Sequence, residues 1–285
     1  MRRGYADTAL GQVHYAEAGA GEPLILLGSS SRSSRMFLNL MEQLAGDFRV
    51  IAIDRPGTGN SDPLPPGLTM RDLAANVVAV MDALALDRAH IYGFHTGNKI
   101  GSALAAEWPQ RVSRLIMAGQ THSILPDAED RNKAIGDRAK TYSGQLDEER
   151  GLVISWATLS QRVSSLWWQT KYFDAGDPAA AVREAQRVIL DELESFEAIR
   201  ELYRLNFGYD IEQDWARITC PTLVLEIVTS REDYLYQRQG AEVQGKIPGA
   251  ELAVFEAQGY KVTLEDRAAD LAKVIAAYCS GAPRS

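Results

Sequence analysis

The chain is poor in cysteine: 285 residues carry two, Cys220 and Cys279. Two thiols cannot frame a disulfide scaffold, so a reducing, cytoplasmic compartment is the expectation. No apolar run approaches the ~18 residues that span a bilayer. Met1-Arg2-Arg3 is basic but no apolar stretch follows it, so neither a membrane anchor nor a signal peptide is expected. Positive charge is in deficit, with 30 Lys and Arg against 38 Asp and Glu and a net charge of −8. That balance argues against a nucleic-acid or anionic-membrane surface. The four histidines and two cysteines show no C-x-x-C or H-E-x-x-H spacing, and no metal is expected. Gly57-Thr58-Gly59 lacks the third glycine and the helix start of a dinucleotide loop, there is no P-loop, and no cofactor is expected. What remains, 46% hydrophobic and 24% charged, is the mix of a globular chain with a sizeable core. A small-molecule substrate is the partner this leaves. Nothing in the sequence bears on oligomeric state.

Short apolar runs recur with helical stretches between them. Leu24–Leu27 stops at Gly28 and a serine-rich stretch, and Val50–Ile53 is closed by Asp54-Arg55-Pro56-Gly57, as buried strands end in loops. Phe37, Leu40, Met41 and Leu44 share one helical face between them. Met70–Leu86 reads as a longer amphipathic helix, His90–Gly93 as a strand, Lys99–Glu107 as a helix and Val112–Ala118 as a strand. This alternation predicts a mostly parallel sheet with helices on both faces. From about Asp127 to Asp214 the chain is polar and helix-like, with aromatics at Trp156, Trp167, Trp168, Tyr172 and Phe173. Strand patterns return at Pro221–Leu225 and Leu252–Phe255, and Ala268–Tyr278 closes the chain as a helix. The expected organisation is an α/β core over 1–126 and 215–285, with a helical cap inserted at 127–214.

Four segments in this order resemble the α/β-hydrolase superfamily, in particular its capped members among esterases, epoxide hydrolases and C–C bond hydrolases. Asp54-Arg55-Pro56-Gly57-Thr58-Gly59-Asn60-Ser61-Asp62 looks like the family's loop after its second core strand. Tyr92-Gly93-Phe94-His95-Thr96-Gly97-Asn98 stands where the nucleophile elbow belongs. Pro221–Leu225 resembles the strand before the acid residue, and Ile247–Leu252 the approach to the last strand. The resemblance covers nearly the whole chain outside the insert.

The catalytic positions depart from the family's pattern. The elbow keeps its glycines, Gly93 and Gly97, but holds His95 where the family has a serine. After the last strand the family's Gly-His is Gly259-Tyr260, and its His-Gly after the first core strand is Gly28-Ser29. The usual spacing from Pro221 lands on Ser230, with Glu232 and, on a longer loop, Asp233 as acid candidates. Losing the Ser or His of such a triad costs on the order of 10⁶-fold, so a standard serine mechanism is not expected.

His95 is therefore the centre of the expected site, as general acid/base or nucleophile, the alternative being an idle space-filler. His122, after the strand Val112–Ala118, is a second imidazole or a lid anchor. Tyr260 is expected to orient His95, or to donate a hydrogen bond to a substrate oxygen, or else to pack in the base's old place. Gly28, Ser29, Ser30 and Thr96 supply an anion hole from backbone N–H groups. A serine hydroxyl of this loop meeting His95 would exchange the two triad roles. Arg131 and Trp168 in the insert are candidate substrate contacts, anionic and aromatic, or else a solvated arginine and a packing aromatic. His14, His90 and Cys220 read as structural. The resemblance favours hydrolysis of an ester, lactone or C–C bond. His95 itself suits a water-activating hydrolase, lyase, isomerase or decarboxylase, and the joint loss of three positions suits a non-catalytic binder.

Overall fold

The computed structural model describes residues 1–122, 124–126, 128–130, 132–134, 137, 156–157, 160–161, 178–257 and 267–281. The chain opens with β1 (Arg2–Thr8), β2 (Gly11–Ala18), β3 (Glu22–Leu27), α1 (Leu38–Leu44) and β4 (Phe48–Ile53). It continues with α2 (Met70–Ala83), β5 (Ala89–Phe94), α3 (Thr96–Glu107) and β6 (Val112–Ala118). Then come α4 (Pro178–Glu194), α5 (Ile199–Gly208), α6 (Glu212–Trp215), β7 (Thr222–Val228), α7 (Ser230–Leu235), α8 (Gly240–Lys246), β8 (Glu251–Glu256) and α9 (Ala268–Cys279).

The eight strands form one sheet in the order β1-β2-β4-β3-β5-β6-β7-β8. β2 is antiparallel to β1 and β4, and the remaining pairs are parallel. Strand periodicity divides the core. Ile25 and Leu27 of β3 pack with α2 and α3 residues on one face, and Leu24 and Leu26 pack with α1 and α9 residues on the other. Burial on both faces explains why the central strands carry consecutive apolar residues, as in Leu24–Leu27 and Val50–Ile53.

From β3 the chain steps to β4 on one side and then to β5 on the other. The loops leaving the carboxyl ends of β3 and β5 therefore part in opposite directions and open a crevice, the usual ligand position in an open α/β sheet. Residues 28–33 and His95 are at this switch point.

Several boundaries differ from the sequence expectation. α2 ends at Ala83, and Ala85 at φ +54° turns the chain out of the helix. α3 begins at Thr96, directly after the elbow, instead of at Lys99. β7 runs on to Val228, and the short helices α7 and α8 follow it. Between β6 and β7 the described elements are the helices α4 to α6.

Candidate active site

His95 caps α3 at φ +52° and ψ −106°. A β-carbon strains such a backbone by about 1–3 kcal/mol, and close packing holds the turn in place. A methyl group on Gly93 would stand 2.5 Å from the carbonyl of Gly97, and one on Gly97 would collide with the carbonyl of Leu27. The two glycines thus let strand, turn and helix close on each other, as an elbow requires. The His95 N–H donates to the Ala118 carbonyl at 3.1 Å, tying the turn to β6.

The imidazole faces a carboxylate. His95 Nε2 is 3.0 Å from Glu232 Oε1 and 3.1 Å from Oε2, and both residues are buried. The ring stacks on Phe94 at 4.0 Å between centroids and meets Tyr236 edge-on at 5.6 Å. Gly119, at φ +65°, makes room for it: a β-carbon there would be 2.8 Å from Nε2. With Nε2 at the carboxylate, the opposite ring nitrogen, Nδ1, has no hydrogen-bond partner among the described residues.

Glu232 comes from the first turn of α7. Thr229 caps that helix and its hydroxyl accepts from the Glu232 N–H at 3.0 Å. In a complete capping box the glutamate would reach back to the cap. Here its carboxylate turns to His95 instead. Asp233 does not stand at the imidazole. Its side chain is 43% exposed and pairs with Arg238 at 3.4 Å, because consecutive residues on a helix point about 100° apart.

The loop after β3 is fastened from below and from the side. Buried Arg55 donates to the carbonyls of Gly28 at 2.7 Å, Ser29 at 2.5 Å and Ser30 at 2.8 Å. Burial lowers its pKa to about 10, so it keeps its charge at neutral pH. Asp54 accepts from the Ser34 N–H, the Asn60 N–H and His14. Burial raises the Asp54 pKa, but these bonds outweigh it and hold the group below its ordinary value. Ser30 Oγ bonds Thr96 Oγ1 at 2.6 Å across the switch point. Ser31 bonds Glu192 at 3.1 Å. The Ser30 and Ser31 hydroxyls bond Thr96 and Glu192, and His95 bonds Glu232, so the exchanged Ser–His pair is not formed. Thr96 opens α3, where the first N–H groups have no intrahelical acceptor; its N–H and the loop beside it flank one crevice.

His122 is held elsewhere. Its Nε2 is 3.0 Å from Gln120 Oε1 and its ring meets Trp215 edge-on at 5.2 Å. One turn beyond His95 on α3, buried Lys99 donates to the Asn206 carbonyl at the end of α5, and burial lowers its pKa to about 7. His14 pairs with Asp54, which holds the loop after β3, and His90 pairs with Glu22 at the start of β3, the end away from the crevice. Tyr260, Arg131 and Trp168 lie outside the described residues. Among the described residues no group of three His, Cys, Asp or Glu is arranged to hold a metal, and no helix is long and apolar enough to cross a membrane.

Sequence reasoning passed over Gly119, the Asp54–Arg55 support and the acidic residues of α4. Thr229-x-x-Glu232 was the available signal for Glu232, since it marks a helix start directly after a buried strand.

The model of the α/β-hydrolase fold family matches residues 22–162. The putative carbamate hydrolase RutD of Stutzerimonas stutzeri is 24% identical over 260 residues, 89% of this chain and 92% of that protein. A 2-hydroxy-6-oxononadienedioate/2-hydroxy-6-oxononatrienedioate hydrolase of Paraburkholderia phymatum is 36% identical over 115 residues. That match spans 38% of this chain and only 40% of the relative's length. The enol-lactonase of Burkholderia xenovorans superposes with a TM-score of 0.70 at 20% identity, over 97% of this chain and 100% of that one; at this identity the likeness shows the fold. With its sheet order, its strained turn between β5 and α3 and its family match from β3 onwards, the chain belongs to the α/β-hydrolase superfamily.

Proposed function

We propose that the protein is a hydrolase in which His95 activates water directly, acting on a small, partly apolar substrate with an ester, lactone or related acyl bond. The observation that carries this reading is the 3.0 Å contact between His95 Nε2 and the buried Glu232 carboxylate. In a Ser-His-acid triad the acid orients a histidine that in turn serves a separate nucleophile. Here the acid after β7 meets the elbow residue itself, so the relay has two members. Glu232 accepts the Nε2 proton, which fixes the tautomer and leaves the Nδ1 lone pair as the base.

The chemistry follows from that tautomer. Nδ1 takes a proton from water as the oxygen attacks the acyl carbon, and Glu232 stabilises the imidazolium that forms. The developing oxyanion is held by N–H groups of Thr96 and the 28–30 loop. Collapse breaks the acyl bond, and the imidazolium returns its proton to the leaving group. No acyl-enzyme forms. The insert, residues 127–214, is read as the cap over this crevice and contributes apolar surface to the ligand. The hydrolase names of the relatives support the reaction class.

The test is a panel of 4-nitrophenyl esters, lactones and carbamates with the wild type, His95→Ala and Glu232→Gln. Turnover lost in both variants, with no stoichiometric fluorophosphonate labelling of the wild type, is the expected result. Rapid labelling of Ser29, Ser30 or Ser31, or full activity in His95→Ala, overturns the reading.

A further inference from the structure

Three guanidinium groups surround the loop after β3, and they use their donors differently. Arg55 places both terminal nitrogens on loop carbonyls. Arg35, at the rim, places both on Glu194 and one of them also on Asp191. Arg32 is only 5% exposed, yet it is engaged through Nε alone, at 2.7 Å from Asp191 Oδ2. Its two terminal nitrogens have no hydrogen-bond partner among the described residues, although neither is among the fully enclosed unpaired atoms. A guanidinium acting only as a staple would engage a carboxylate with two parallel bonds. Asp191 is unavailable for that, because its other oxygen takes Ser33 at 2.5 Å and Arg35 at 3.3 Å.

The position of Arg32 matters as much as its free donors. Its N–H donates to the Ser29 carbonyl at 3.1 Å, closing a turn that keeps its Cα within about 7 Å of that of Ser29. Ser30, inside this turn, bonds the residue next to His95. Asp191 is fully buried and shared by two arginines, so it holds the Arg32 side chain in place without cancelling both charges.

We propose that the paired terminal nitrogens of Arg32 bind a carboxylate of the substrate, so that the hydrolysed compound is an acid carrying its acyl bond a few atoms from that carboxylate. The end-on NH1/NH2 fork matches the two oxygens of a carboxylate. Asp191 is the positioning residue for Arg32. This substrate class rests on the hydrolytic reading, but the binding can be measured without turnover.

Calorimetric titration with benzoate, and with benzamide as its uncharged isostere, separates the two. The wild type and His95→Ala are expected to bind benzoate about tenfold or more tighter than benzamide, and Arg32→Gln is expected to lose that preference. Arg32→Gln leaves Asp191 short of a partner, so the Arg32→Gln/Asp191→Asn double variant repeats the measurement with both charges removed. Equal binding of the two probes by the wild type, or a benzoate preference that survives in the folded double variant, overturns the proposal. A preference kept in His95→Ala with no turnover anywhere on the panel would uphold the carboxylate site and sink the hydrolase reading alone.

Discussion

Two imidazoles follow neighbouring parallel strands, and their surroundings differ in one decisive respect. His95 follows β5 with its Nε2 on a buried carboxylate, while His122 follows β6 with its Nε2 on the neutral amide of Gln120. Both contacts measure close to 3.0 Å and both rings touch aromatics. A carboxylate stabilises the charge an imidazole gains on taking a proton; an amide oxygen orients the ring without compensating that charge. On the proposed mechanism, the same side chain serves proton transfer at His95 and packing at His122.

The sharpest way to break this contrast is His95→Ala. Loss of a general base costs about 10²–10⁴-fold, and the fall is expected in kcat with KM nearly unchanged, measured on the best substrate of the panel. Glu232→Gln is expected to cost about 10²-fold or more, because the amide can donate to Nε2 and move the ring proton to Nδ1, the wrong tautomer for a base. A Glu232→Gln enzyme with wild-type kcat would remove the distinction between the two histidines.

Burial brings the Lys99 pKa down to about 7, and Lys99→Met tests the consequence for stability. Its folded pKa of about 7 lies below the ordinary 10.5, so between those values the unfolded chain holds a proton that the folded chain has released. Stability from this group therefore rises with pH across that window and is lost as pH falls through 7. Lys99→Met should flatten that slope in denaturant unfolding. Gly119→Ala has a smaller effect: its methyl would press on His95 Cδ2 and Nε2. A few tenths of an ångström of ring displacement should lower kcat by roughly tenfold.

Legibility in the sequence followed burial. β3, β5 and β6 were readable because both their faces are covered and each carries several consecutive buried residues. β1 was not read, since only Ala6 of its seven residues is buried and the polar edge strand shows no apolar run. The elbow was visible in Gly93 and Gly97, whose spacing reports a backbone collision and so survives the exchange of serine for histidine. The acid remained ambiguous between Glu232 and Asp233, because the loop length after β7 decides which face of the next helical turn meets the site. Arg32 and Asp191 are 159 residues apart, and neither flank hints at the other.

The mildest expected effect belongs to His122→Gln. Glutamine keeps a donor for the Gln120 carbonyl oxygen and fills part of the ring's volume against Trp215. The lost edge-to-face contact and the altered hydrogen bond should each cost about 1 kcal/mol of stability, read as a modest fall in the denaturant midpoint. Because the His122 Nε2 rests on the neutral Gln120 amide, kcat should stay within about threefold of the wild type, a residual attributable to packing. The two sites are also expected to be independent, so His95→Ala and His122→Gln combined should show additive free energies. A kcat loss in His122→Gln as deep as that in His95→Ala would show that both imidazoles take part in proton transfer, and the contrast between carboxylate and amide partners would fail.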